Sequence, residues 1–273
     1  MDLFRFILRR KPFKGQFRIF VWLFNNRKLK RVQETISPID NDFKIFADTI
    51  NFIDASIYYL GDYEPWLKKY FKELIKPGDT VLDVGANIGF HSIYFSTLVG
   101  ISGRVVAVEP IKQNFKALEH NVHLNKSGNF ILVEKALANE NKVINVYIND
   151  NAKNPGAHSL LNEGIANTEV HCITGDYLLR KLEISKLDFI KIDVEGFELE
   201  VLKGLESTIR THKPIIIFEY DKAYQLKSTK NPEAIFSLLA SYEYSFESVD
   251  GYGKSSPFTF SDHISSAEII AYP

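Results

Sequence analysis

From about residue 42 onward, apolar residues follow two alternating rhythms. Short, nearly continuous runs rich in Val and Ile are bounded by glycine or charge, and between them apolar positions recur every three or four residues. The first rhythm predicts buried strands, the second amphipathic helices. Strands are expected at residues 80–84, 104–109, 130–134, 143–148, 188–193, 214–219, 244–249 and 268–272, with helices at 90–99 and 196–205. Phe115, Leu118 and Val122 share one face of another helix. Trp66, Tyr70, Phe71, Leu74 and Ile75 mark one more, opened by Pro65 and closed by Pro77-Gly78. Asn231 is the expected cap of a late helix with Pro232 at its first position, and Asp176 the expected cap of a helix carrying Tyr177, Leu178 and Leu179. This alternation predicts an α/β fold: a doubly wound, mostly parallel sheet with helices on both faces.

The chain of 273 residues is long enough for one such domain and short for two. Charge divides it unevenly. Residues 1–32 hold ten Lys and Arg against the single acid Asp2, which leaves 23 basic and 33 acidic residues in the remainder. Two regions are therefore expected, a basic aromatic-rich N-terminal extension at 1–41 and a catalytic domain at 42–273. The extension interleaves its charges with Phe4, Phe6, Phe13, Phe17, Phe20, Trp22 and Phe24. That mixture suits peripheral contact with an anionic membrane, and equally a helical extension that packs its aromatics on the domain. Nucleic acid is a poor partner for the acidic remainder. Residues 19–24, the longest apolar run there, are too few to span a bilayer, and Arg5, Arg9 and Arg10 interrupt any secretory signal. A cytoplasmic location is expected, with contact at the inner membrane face if the arm binds lipid. Cys172 is the single cysteine, which excludes an intramolecular disulfide and a cysteine zinc site.

The most informative stretch is Val81-Leu82-Asp83-Val84-Gly85-Ala86-Asn87-Ile88-Gly89-Phe90, an apolar strand leading through a glycine turn into a helix. Open α/β sheets bind nucleotides at such turns. Gly85 and Gly89 are expected to let the backbone approach a ligand, and the helix start to offer N–H groups to a carboxylate. A dinucleotide fingerprint would need glycine where Asn87 and Phe90 stand, so the spacing favours S-adenosylmethionine, which lacks a pyrophosphate. Glu109 lies twenty residues past Gly89, at a strand tip, where it can accept the hydroxyls of a ribose. Asp83, inside an apolar strand, would orient the loop or meet an ammonium.

These features extend into a family resemblance. The runs Tyr63-Glu64-Pro65, Lys76-Pro77-Gly78-Asp79 continuing to Gly89, Val108-Glu109-Pro110, Ile190-Lys191-Ile192-Asp193-Val194-Glu195-Gly196-Phe197-Glu198 and Val201-Leu202-Lys203-Gly204 resemble the FkbM family of methyltransferases. The resemblance implies a seven-stranded methyltransferase (Rossmann-like) sheet, S-adenosylmethionine as cofactor, and O-methylation of sugars, glycans or related hydroxyls. It further implies that Gly85, Ala86, Asn87 and Gly89 line the methionine and ribose, that Glu109 with Pro110 meets the ribose, that Ala136 lies beside the adenine, and that Glu64 reaches the methionine end.

Removing a proton from an acceptor hydroxyl calls for a base beyond the carboxyl ends of the strands. Asp193, Glu195, Glu219 and His158 are the candidates. Three of them also have a purely structural reading: Glu195 as a first-turn helix acid, Glu219 as a strand-end acid, His158 as a solvated loop residue. Asp193 and Glu219 alone are too few ligands to argue for a metal. Besides an O-methyltransferase acting on a sugar, glycan or lipid-linked glycan, two alternatives stand: an N-methyltransferase on an amine or peptide, and a cofactor-binding or scaffold protein without activity.

Overall fold

A computed structural model describes residues 3–9, 13–39, 42–148 and 166–273. The chain opens with α1 (Leu3–Leu8), α2 (Gln16–Asn25), β1 (Gln33–Ile36), β2 (Ile45–Asp48), α3 (Phe52–Leu60) and α4 (Pro65–Leu74). The alternating region begins with β3 (Thr80–Val84), α5 (Phe90–Val99), β4 (Arg104–Val108), α6 (Lys112–Asn125) and β5 (Phe130–Val133). A small side sheet follows, formed by β6 (Ala136–Leu137), β7 (Lys142–Ile148) and β8 (Ala166–Ile173). After α7 (Gly175–Lys181) come β9 (Phe189–Ile192), α8 (Glu198–Gly204), α9 (Glu206–His212), β10 (Ile215–Asp221), α10 (Lys222–Thr229) and α11 (Ala234–Ala240). Strands β11 (Ser245–Val249), β12 (Ser255–Pro257) and β13 (Ser266–Tyr272) close the chain.

The main sheet runs β12-β11-β13-β10-β9-β3-β4-β5. Strands β5, β4, β3, β9 and β10 are mutually parallel, and β13 is inserted antiparallel between β10 and β11. The eighth strand is the three-residue β12, which extends the expected seven. Alternation along each strand sends Val81, Phe189, Ile217 and Ile270 into one core, and Leu82, Ile190, Phe218 and Ile269 into the other. The doubly wound α/β fold is therefore present.

Several local expectations shift for identifiable reasons. The helix expected from Gly196 begins at Glu198, because Glu195 and Gly196 both adopt left-handed backbone. The Asn231 side chain accepts the Glu233 N–H, and regular helix starts only at Ala234. Asp176 caps a neighbour rather than its own helix: Thr174 caps α7, while Asp176 accepts the Ser207 and Thr208 N–H groups at the start of α9. The first helices pack on the domain. Leu8, Phe20 and Leu23 are buried in the first core, and Phe20 and Phe24 meet the Phe52 ring at 5.4 and 5.3 Å. Arg9 donates to the Ile57 and Tyr58 carbonyls near the end of α3, at 3.0 Å each.

Two glycines fix the turn after β3. At Gly85 φ is +85°, and a Cβ would lie 1.9 Å from the Asp193 carbonyl oxygen. At Gly89, the left-handed cap of α5, a Cβ would stand 2.5 Å from a Leu118 methyl. Protein packing by itself demands glycine at both positions. Gly85→Ala should therefore cost at least about 2 kcal/mol in urea denaturation, from strain and overlap together. Gly128→Ala, where a Cβ meets nothing within 4 Å, serves as the control and should change stability by under about 0.5 kcal/mol.

Candidate active site

The carboxyl ends of β3, β4, β9 and β10 open onto a cavity of about 410 Å³, lined among others by Gly85, Asn87, Glu109, Asp193 and Glu219. Its floor is the β3–α5 turn. The Gly85 and Ala86 N–H groups both donate to the Val108 carbonyl, at 2.9 and 3.0 Å, which ties the turn to the tip of β4. Asn87 takes a left-handed φ of 50°, and its N–H donates to Glu109 Oε2 at 2.8 Å. Glu109 Oε1 accepts the Ile111 N–H at 2.9 Å and a longer contact from the Asn114 amide at 3.5 Å. Burial pushes the Glu109 carboxyl up to about 7, against the pull of those backbone donors. Of its four lone-pair directions one is left open, on Oε2, and the weak Asn114 contact is the one a second hydroxyl could displace.

Beneath the cavity, one face of the sheet carries a charged stripe. Asp83 pairs in register with Lys191, and Lys191 with Ile217. Asp193, Glu219 and Glu268 follow on the same face by alternation, with Glu219 and Glu268 directly opposite each other. Lys191 is buried, and its ammonium lies 3.0 Å from Asp193 Oδ2. Burial alone would lower the Lys191 pKa, but the carboxylates of Asp193, Asp83 and Glu64 outweigh it and hold the ammonium above its ordinary value.

Other acids around the cavity are pushed the other way. Burial, then repulsion from Asp193 and Glu198, raises Glu195 to about 7. Burial, then Asp193 and Glu64, raises Glu219 to about 8. Glu219 is exposed and lines the cavity. Glu268 is driven well above its ordinary range by burial and by Glu64 and Glu219.

Glu64 reaches the cavity from the left-handed cap of α4, and its Oε2 lies 2.9 Å from His91 Nε2. His91 in turn sits among the rings of Tyr63, Phe71, Phe90 and Phe95. Glu195 Oε2 is buried without a hydrogen-bond partner, an orphaned acceptor in a cavity-lining residue. Glu198 is structural: it accepts the Gly196 N–H and the Gln225 amide inside the core.

The sequence candidates divide accordingly. Glu64, Gly85, Asn87, Glu109, Pro110, Ala136, Asp193, Glu195 and Glu219 all line this cavity. Asp83, Ala86 and Gly89 lie behind it; Asp83 accepts the Ser92 hydroxyl, and the other two shape the turn. His158 lies outside the described residues. Lys191, His91 and Glu268 were not among the candidates. Lys191 carried a sequence signal, a lysine inside an apolar strand, whereas Glu268 needed the antiparallel register to be placed. Among the described residues, no group of three or more His, Cys, Asp or Glu is arranged to hold a metal ion.

The residues fit a cationic nucleoside ligand. Six described lining residues are acids (Glu64, Glu109, Asp193, Glu195, Glu219 and Asp221), one is a base (Lys135), and Ile111, Ala136 and Leu137 supply an apolar wall.

The profile described as "Methyltransferase FkbM domain" matches residues 83–246, more than half of the chain. The chain is 30% identical over 169 residues to the hexuronic acid methyltransferase AglP of Haloferax volcanii, a match covering 62% of this chain and 64% of that protein. It is 28% identical over 185 residues to the AMB antimetabolite synthetase AmbE of Pseudomonas aeruginosa, covering 55% of this chain and 9% of that one. The chain thus spans less than two thirds of either relative. The crystal structure of methyltransferase FkbM from Methylobacillus flagellatus KT aligns with a TM-score of 0.46 at 16% identity, covering 80% of this chain and 52% of that one.

Lys191→Met should leave Asp193 and Asp83 without their cation. The expected loss is about 3–5 kcal/mol of stability, read by urea denaturation at neutral pH. A variant as stable as the parent would show that the ammonium is not what balances the stripe.

Proposed function

This chain belongs to the FkbM methyltransferase family, whose cofactor is S-adenosylmethionine, and on that premise we propose that it methylates a hydroxyl of a sugar, glycan or glycolipid. The observation that carries the donor half is the charge of the cavity. Six acids against one base suit a ligand with a sulfonium, an ammonium and a single carboxylate, and oppose a pyrophosphate. The sugar half is supported by the Haloferax volcanii relative, described as a hexuronic acid methyltransferase. Bound there, S-adenosylmethionine supplies an electrophilic methyl group whose bonding electrons stay on sulfur after transfer.

On this reading Glu109, beside Pro110, accepts a ribose hydroxyl through its open lone pair, and the Ile111, Ala136 and Leu137 wall receives the adenine. Glu64, fixed by His91, faces the ammonium of the methionine end. Asp193 is held by Lys191 and positions the site, leaving Glu219 and Glu195 as proton acceptors. Glu219 takes the hydroxyl proton as the oxygen–carbon bond forms, since a carboxyl raised to about 8 binds a proton readily near neutral pH. It must be ionised to act, so turnover should rise with pH up to about 8. Methyl transfer from labelled S-adenosylmethionine onto a glycan and lipid-glycan panel tests the reading. Glu219→Gln should lower kcat by at least about 10²-fold and abolish the rising limb. Label passing only to amines would establish the N-methyl alternative, and cofactor binding with no transfer the inactive one.

We further propose that the N-terminal helices make peripheral contact with an anionic membrane at the cytoplasmic face. Their inner residues belong to the core, but α2 and its approach expose Phe13, Ile19 and Trp22 beside Lys14 and Arg18. Apolar rings interleaved with basic charge favour anionic headgroups. No helix of the described residues is long and apolar enough to cross a bilayer. The double variant Ile19→Ser, Trp22→Ser should keep its melting temperature and lose about tenfold in partitioning to vesicles containing phosphatidylserine. Undiminished partitioning would sink the membrane contact.

A further inference from the structure

A second cavity, of about 770 Å³, opens on the far side of β13 from β10. Trp66 from the first turn of α4, Asp250 and Lys254 from the β11–β12 turn, and His263 and Glu268 from β13 and its approach line it. The turn is docked onto α4: Tyr70 donates its hydroxyl hydrogen to the Gly253 carbonyl at 3.0 Å, and the Gly253 backbone lies against Trp66. Asp250 Oδ1 accepts the Tyr252 and Lys254 N–H groups, both at 2.9 Å, which fixes the turn's shape. Tyr252 at the tip is 97% exposed, one residue beyond the cavity-lining Gly251.

Neighbours on one rung of the sheet line the two cavities. Glu219 lines the first and Glu268 the second, and they are direct cross-strand partners on the same face. Like charges directly opposite on neighbouring strands are unfavourable, and nothing in strand architecture requires them there. A carboxyl pair that shares a proton presents both a donor and an acceptor, which is what is needed to hold a hydroxyl.

We propose that the second cavity is the acceptor subsite, taking a sugar ring that carries a carboxylate and delivering its reacting hydroxyl to the donor cavity at the Glu219–Glu268 rung. The proposal rests on the sugar-methylating reading above. The indole of Trp66 offers a face for the apolar C–H side of a sugar ring, while Asp250 and Glu268 accept from its hydroxyls. Lys254 supplies positive charge and His263 a ring N–H donor for a ring carboxylate, in a molecule whose other cavity is dominated by acids. Burial and the neighbouring carboxylates keep the Glu219–Glu268 pair from ionising fully, consistent with a rung that hydrogen-bonds a neutral hydroxyl.

The sequence contains two tryptophans, so Trp22→Phe leaves Trp66 as the sole indole reporter. In that protein, methyl glucuronide should shift Trp66 emission saturably, and methyl glucoside, lacking the carboxylate, should bind more weakly. Lys254→Ala should weaken methyl glucuronide by about threefold to fivefold. S-adenosylhomocysteine affinity, read by calorimetry, should change less than about twofold. If S-adenosylhomocysteine binds but neither sugar alters Trp66 emission, the acceptor subsite is overturned and the donor reading stands. Equal binding of the two sugars overturns the carboxylate assignment. Failure of S-adenosylhomocysteine to bind overturns the reading beneath the proposal.

Discussion

The site is organised around one buried ammonium. Lys191 sits in the middle of the sheet, where an uncompensated charge could not remain ionised, and it does so because Asp83, Asp193 and Glu64 surround it. That arrangement fixes the orientation of Asp193, and with it the end of β9. The Asp193 carbonyl lies against Gly85, so the same strand end that serves the ammonium also sets the glycine turn. The turn then presents Asn87 to Glu109, and Glu109 anchors the start of the next segment through Ile111. Electrostatic balance in the sheet is thereby converted into the shape of the cavity floor.

The balance is incomplete by design of the topology. One cation cannot neutralise the carboxylates gathered at four strand ends, and Glu195, Glu219 and Glu268 hold protons well above the ordinary carboxyl range. A parallel sheet brings all its carboxyl termini to one edge, so acids at successive strand ends crowd there without any local sequence feature. The antiparallel β13 adds to the crowding from the opposite direction, because its beginning, not its end, meets the tip of β10. A cationic ligand at these strand ends would supply what the protein lacks.

The glycine turn, the strand-tip acid Glu109 and the acids after β9 were legible because each is local: a strand, a turn and a fixed spacing identify them. The packing demand on the glycines was not legible. Gly85 answers to Asp193, more than a hundred residues away, and Gly89 to Leu118 on the neighbouring helix, contacts that only the packed sheet and helices reveal. Glu268 was invisible for a similar reason, since its role follows from register with Glu219 and no motif surrounds it. The N-terminal extension was half legible. Its aromatic and basic pattern marked an amphipathic segment, yet which rings turn inward depends on Phe52 and α3. Asp176 shows the same limit in miniature: its capping chemistry was readable, the helix it caps was not.

The crowded carboxyls also bind the fold to its ligand. Glu109, Glu195 and Glu198 titrate near 7 in the folded chain, above the ordinary carboxyl value of 4.5 that applies once the chain unfolds. Between those two values the folded protein holds more protons than the unfolded one, so stability declines as pH rises through that window. These groups therefore oppose folding at neutral pH, where they must either keep protons or accept buried charge. Glu198 meets this cost through the Gly196 N–H and Gln225, which no ligand alters. Glu109 and Glu195 face the cavity, and a positively charged occupant would favour their ionised forms and displace their protons. The strain is thus concentrated where binding can relieve it, and by linkage whatever the cation gains from those carboxylates it returns as stability of the turn that holds it.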